Sequence, residues 1–444
     1  MKTTIKVALL LIFVLILFFN KFRLRKEDTK YYNILFIIFA ISFLVGINLK
    51  TSYSEIILEE IEYIYIPMNL FILLFVFISV LNLRSFKIKF DEILLLIIIG
   101  NLLVSLWNDK IDNHSAFVNS LNLYIAILLI ALIFKTIDKY DYTKITDAIS
   151  YIAIFNFFIS VLQFITNKKL LLGITNESIY YIDTTGYIKR VVGIAGANNA
   201  GGNLAAILYA IVMFNYLRTR KKIHLFAILS TIGFSMLTLT RIGYLSIIVI
   251  TFLFFIIFNW KSKRAIFKRM FSVIVFTVFG LLGILLFGQE VYTKLFLDRG
   301  STQNSRIIQF KRAFKYIIPE NTFWSGVGGG QYTNYFFDKF GYTDIEMHSQ
   351  YINVLVEQGM FILLIFTMFN LVILIKALSK TDTILEKVFL ISLFVANFIC
   401  CNFNPNQQYL INNYFYYILM YCFVFKTKNG KDTKQLSKEE LWSL

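Results

Sequence analysis

The sequence predicts an all-α, polytopic integral membrane protein, and three observations predict it. Residues are 57% hydrophobic and only 16% charged, with a mean hydropathy of +0.66, which overrides the expectation of several soluble domains for a chain of 444 residues. About 13 segments reach the roughly 20 apolar residues that a membrane span needs, and their periodicity is helical or continuous rather than the alternation of a barrel. Basic clusters around Lys21–Lys26, Arg84–Lys89, Lys135–Lys144, Arg218–Lys222 and Lys261–Arg269 recur after every second span. That is the signature of cytoplasmic connectors. It accounts for the net charge of +17 by topology, so nucleic-acid binding is excluded as a function class.

In chain order the predicted spans lie near 5–20, 31–48, 63–83, 92–107, 117–134, 147–166, 200–217, 224–240, 243–260, 271–288, 351–375, 387–402 and 411–425. The first is followed by basic residues where a cleavage site needs small ones, so it reads as an uncleaved anchor. The basic connectors make the tail from Lys426 onward cytoplasmic, and the amino terminus is external if the first segment spans; the total is about 12 or 13 helices. Asn156 and Gln163 in the sixth span suit hydrogen bonds between helices. Cys400, Cys401 and Cys422 sit in or beside apolar segments and support neither a disulfide framework nor a metal site. With no inverted repeat and no charge deep in a span, a transporter or flippase is the weaker class.

The chain divides into N-terminal helices (1–183), a region carrying the chemistry (184–375), C-terminal helices (376–425) and a tail (426–444). Within the second lies a polar loop, 289–350, too long for a mere connector and aromatic enough to fold. Entry to the seventh span places Arg190, Gly193, Asn198, Asn199, Gly201 and Gly202 together. Small residues there permit close helix packing, while the arginine and the amides at a helix start suit anionic or sugar ligands. A tight turn at Arg241-Ile242-Gly243 puts another arginine on the outer face, joined by Arg299, Arg306 and Arg312 in a chain otherwise rich in lysine. The guanidinium fork pairs bidentately with phosphate, which a lysine does not match.

The residues Ser305 to Ile318 predict an amphipathic helix with Ile307, Phe310, Phe314 and Ile317 on its apolar face, capped by Asn304 or Ser305 and ended by Pro319. The run Gly326-Val327-Gly328-Gly329-Gly330 lacks the lysine and hydroxyl residue of a P-loop, so a nucleotide site is rejected and a tight turn remains. His348 is the one histidine of the loop; its imidazole suits proton transfer near neutral pH. Asp344 and Glu346 beside it make only a weak metal signal.

In order, Arg190…Gly193…Asn199, Thr240-Arg241-Ile242-Gly243, Ser305-Arg306, Ser325-Gly326-Val327-Gly328 and His348-Ser349-Gln350-Tyr351…Glu357-Gln358-Gly359 resemble the O-antigen ligase and Wzy-type O-antigen polymerase family over residues 185–375. The resemblance implies an inverting, GT-C-like glycosyltransferase of the bacterial cytoplasmic membrane whose site faces outward. It implies an undecaprenyl-diphosphate-linked glycan as donor, a glycan or lipid-linked acceptor, and a flippase and chain-length regulator as partners. Arg241 and Arg306 would then bind the diphosphate and His348 would meet the acceptor hydroxyl. Arg190, Asn199, Arg299, Gly328 and Gly329 are the candidate substrate-binding residues. No cofactor is called for, because charge-assisted donors compensate the leaving diphosphate. Polymerase is preferred over ligase because Ser349 and Ile242 depart from the shared pattern.

Overall fold

The computed structural model describes residues 29–44, 46–53, 62–81, 88–107, 111–137, 142–183, 186–257, 302–317, 322–342 and 347–426. The predicted spans near 5–20 and 271–288 lie outside the described residues. Each of the other predicted spans has a helix. These are α1 (Thr29–Phe43), α2 (Met68–Val80), α3 (Phe90–Trp107), α4 (His114–Thr136), α5 (Tyr142–Thr166), α6 (Asn198–Thr219), α7 (Lys222–Thr238) and α8 (Arg241–Ile257). In the polar loop come α9 (Thr302–Ile317), α10 (Thr322–Ser325) and α11 (Tyr332–Phe340), followed by α12 (Gln350–Ser379), α13 (Ile384–Phe403) and α14 (Leu410–Val424). Six helices are long and apolar enough to cross a membrane and others are shorter apolar helices. The chain is therefore an all-α multi-pass membrane protein.

One expectation needs correction at the second connector. The chain there forms an antiparallel hairpin, β1 (Asn48–Tyr53) with β2 (Glu62–Pro67), in the register Asn48 to Pro67. The span predicted from residue 63 thus begins only at Met68, after Pro67 as N-cap. Alternating Tyr63, Tyr65 and Ile64, Ile66 favour a strand, and proline fits a strand end better than a helix interior.

The helices alternate in direction, so their termini sort into two ends. At one end, basic residues meet carboxylates: Lys135 with buried Glu92 at 2.6 Å, Lys426 with buried Glu386 at 2.6 Å, Lys376 with buried Asp91, and Arg218 with the half-buried Asp147 at 2.8 Å. These pairs tie α3 to α4 and α12, and α5 to α6, so the basic residues staple helices as well as orient them. Removing one partner of such a buried pair leaves an uncompensated charge. The other end carries β3 (Tyr180–Asp183) and β4 (Gly186–Lys189), the loop helices and the candidate site.

The helix α6 is the centre of the bundle, packing on α5, α7, α8 and α13. Its contact with α8 is backbone to backbone: a Cβ on Gly243 would lie 2.8 Å from the Gly202 carbonyl oxygen, and one on Gly202 would lie 2.4 Å from Thr240 Cβ. Small residues are what make this approach sterically open. It places the first residue of α8, Arg241, over the start of α6.

Candidate active site

Arg190 is 2% exposed and serves as a clamp. Its Nε donates to the Thr238 carbonyl at 2.9 Å, and one terminal nitrogen donates to Thr240 Oγ1 at 3.0 Å and Asn199 Oδ1 at 3.3 Å. Thr240 passes the chain on by donating to the Asn198 carbonyl at 3.1 Å. The α7–α8 turn is thereby bound to the start of α6, and the residue it delivers is Arg241. Asn156 and Gln163 act one step behind: Asn156 Oδ1 accepts from the Ile194 N–H at 2.7 Å, and Gln163 Oε1 from those of Val192 and Gly193 at 3.1 and 2.8 Å. They brace the strand-to-helix segment from which Arg190 projects, in place of the helix-to-helix bonds that the sequence suggests.

The polar loop folds around a core of its own, built from Ala313, Ile317, Val327, Tyr332, Phe336, Met347 and Val356. Helix α9 enters it on a face that only partly overlaps the one the sequence predicts. Ile307 and Phe314 are 50% and 45% exposed, whereas Gln309, Ala313 and Ile317 are buried. Phe310 and Ile317 of the predicted face do pack on this core, so the buried face is rotated from the predicted one rather than opposite to it, and Ile307 and Phe314 are left on its exposed side. Arg312 lies over the Tyr342 ring at 3.8 Å. Pro319, Asp344 and Glu346 fall outside the described residues, as does Arg299.

The rotated face joins two of the predicted residues. Gln309, one turn beyond Arg306, takes His348 with its side-chain oxygen: 3.2 Å to Nδ1 and 3.4 Å to the backbone N–H. Arg306 itself donates to Asn404 Oδ1 at 3.5 Å. The 403–410 connector then closes the circuit, since Gln407 Nε2 donates to the Met347 carbonyl at 3.1 Å, the residue before His348. Asn404 Nδ2 donates to Asn203 Oδ1 at 2.6 Å, and Asn203 Nδ2 donates to Asn406 Oδ1 at 3.1 Å, carrying the network back to α6.

Arg241 reaches the same rim by a different route. Ser246 of α8 meets Cys400 of α13 at 3.5 Å. Five residues of helix above Ser246 lift Arg241 by about 7.5 Å, and four above Cys400 lift Asn404 by about 6 Å. Asn404 stays within that last turn because its N–H bonds the Cys400 carbonyl at 3.1 Å. Arginine 241 and the partner of Arg306 thus emerge at nearly one height.

The glycine run lies against a kink in α12. Gly359 has φ +84°, and a Cβ there would sit 2.1 Å from the Trp324 carbonyl oxygen. The break frees the Val356 and Glu357 carbonyls, which accept from Val327 at 3.0 Å and Gly328 at 2.9 Å. A Cβ on Gly329 would lie 2.3 Å from Leu102 Cδ2, so packing accounts for that glycine. Glu357, 3% exposed, receives the Gly330 N–H at 2.8 Å and the Tyr332 N–H at 3.4 Å. Glu357 sits in the first two turns of α12, where the kink turns it toward the N-terminus of α11, a place favourable to a carboxylate.

Sequence reasoning did not single out Gln309, Asn404 or Gln407. A signal for the last two was present in Asn402-Phe403-Asn404-Pro405-Asn406-Gln407-Gln408, followed by Asn412-Asn413, an amide-rich run between two apolar spans.

Fold and site define a polytopic α-helical membrane protein with a folded polar loop that brings arginines and a histidine to one end of the bundle. Residues 225–367 match the family described as O-Antigen ligase, in line with the resemblance that the motifs of this region carry. The matched region includes Arg241, Arg306 and His348. No curated protein matches the chain.

Proposed function

We propose that this membrane protein is an inverting, metal-independent glycosyltransferase that polymerises undecaprenyl-diphosphate-linked oligosaccharide units into a surface polysaccharide. The observation that carries the reading is the convergence of Arg306 and His348 through Gln309 and the 403–410 connector, within the region matched to the family. The arginines meet the donor's diphosphate, whose negative charge grows as the glycosidic bond breaks. His348 takes the proton of the acceptor hydroxyl as that oxygen attacks the anomeric carbon. Arg190 and Asn199 hold the turn that carries Arg241. Arg299, read from the sequence, completes the substrate-facing set, whereas the buried Gly328 and Gly329 serve the packing of the glycine run against α12.

A ligase shares this donor and geometry, and the matched family's description favours it as the second reading. Purified protein given only lipid-linked repeat units should release a ladder of lengthening glycans, in EDTA as in its absence. A single transfer, occurring only when a separate lipid acceptor is added, would make it a ligase. Loss of product in EDTA with recovery on adding a divalent cation would remove the metal-independent mechanism.

The basic clusters at the opposite end support an outward-facing site on the bacterial cytoplasmic membrane. Single cysteines at Ser301 and Thr333 should then react with an impermeant maleimide on intact spheroplasts, and one at Lys431 only after lysis. Labelling in the reverse pattern would invert the topology and detach the site from the outer leaflet.

A further inference from the structure

We propose that Gln309 is a positioning residue that fixes the tautomer of His348, holding the proton on Nδ1 and presenting the ring's lone pair at Nε2. The inference rests on the proposed role of His348 as the base.

The backbone N–H of His348 can only donate, and the Gln309 side-chain atom that faces it at 3.4 Å is therefore the oxygen. Turning the amide over would set its NH₂ against that N–H. The same oxygen lies 3.2 Å from His348 Nδ1. An amide oxygen has no proton to give, so in neutral imidazole the hydrogen must be on Nδ1 and the lone pair on Nε2. One backbone donor thus settles both the amide's orientation and the ring's.

Gln309 is suited to hold this arrangement because it is 2% exposed, on the face of α9 that also buries Ala313 and Ile317. Gln407 fixes the chain from the other side through the Met347 carbonyl at 3.1 Å. The charged groups nearest in the chain are Lys311, Arg306 and Arg312 around Gln309, and Asp344 and Glu346 just before His348. Because Gln309 and Arg306 share α9, the group that orients the base and the group proposed to hold the diphosphate move as one body.

In the step itself the acceptor O–H gives its proton to Nε2 while its oxygen bonds the anomeric carbon. The bond from that carbon to the diphosphate oxygen breaks, and its electron pair leaves with the diphosphate. An Nε2–H tautomer has no lone pair at the reacting position, so a ring released from Gln309 spends part of its time unable to act.

The test uses full-length protein in nanodiscs with a lipid-linked glycan donor and follows kcat/KM with pH. Gln309→Met removes the acceptor at similar volume, and kcat should fall roughly tenfold to 100-fold, a share of the whole general-base contribution, with the donor KM unchanged. Gln309→Glu keeps both hydrogen bonds and adds a negative charge that favours the imidazolium. Its activity should persist, with the acid limb of the profile moved up by about one pH unit or more. Unchanged kcat in Gln309→Met, or an acid limb that stays put in Gln309→Glu, overturns the assignment. Should Gln309→Met fail to fold, the glutamate variant alone decides. Full activity in His348→Ala would instead mark failure of the base reading, a result distinct from either Gln309 outcome.

Discussion

Arg306→Ala and Arg241→Ala are each expected to lower transfer from a lipid-diphosphate donor by about 10² to 10³, the loss seen when one preorganised charge-stabilising donor is removed. The expectation follows from how the two side chains are held. Arg306 leaves a buried helix face and touches the neutral amide of Asn404 at 3.5 Å, a contact that directs the fork without cancelling its charge. Arg241 begins α8, and Arg190, Thr240 and the Gly202–Gly243 crossing fix that helix start. Preorganisation of this kind has value mainly in the transition state, where the diphosphate oxygen gains charge, so kcat should fall more than donor affinity. Lysine should restore little at either position, because a single ammonium cannot span two phosphate oxygens. Initial rates with purified, monodisperse variants check this. Wild-type turnover in both alanine variants would remove the diphosphate site, whatever the histidine does.

How much of this was legible in the sequence depends on what kind of information each element needs. Spans are set by composition along one stretch of chain, so the apolar segments from α1 to α14 could be read without knowing their neighbours. Arg190 was visible as an oddity, an arginine among small residues, but its role as a clamp required knowing that Thr238 and Thr240 fold back onto it from 48 and 50 positions away. Helix α9 shows the same limit in another form. Its period was local, but its phase depended on Met347 and Val356, which supply the core it packs on. Gln309 was hidden by that phase error, since a polar residue on a buried face looks like the solvent side until its partner is known. The kink at Gly359 did not follow from the sequence either, although Glu357-Gln358-Gly359 interrupts the apolar run there. Only its positive φ and its contact with the glycine run explain why Glu357 is tolerated there.

His348→Ala should suppress glycan transfer by roughly 10² or more if the ring removes the acceptor proton in the transition state. The geometry gives this prediction a particular shape. Met347, buried in the loop core, and Ser349, which caps α12 by accepting from the Ile352 N–H at 3.3 Å, fix the backbone on either side. Truncating the ring between two such anchors should leave the fold intact, so lost activity reports chemistry rather than unfolding. Donor binding should be largely retained, because the diphosphate is assigned to Arg241 and Arg306. The acceptor's own acidity then provides a second reading: if His348 is the base, a fluorinated acceptor sugar with a more acidic hydroxyl should recover part of the variant's rate while affecting the wild type less. An enzyme with full activity after His348→Ala, or a variant that loses donor binding along with turnover, would return the histidine to a structural role and leave the arginines to carry the site.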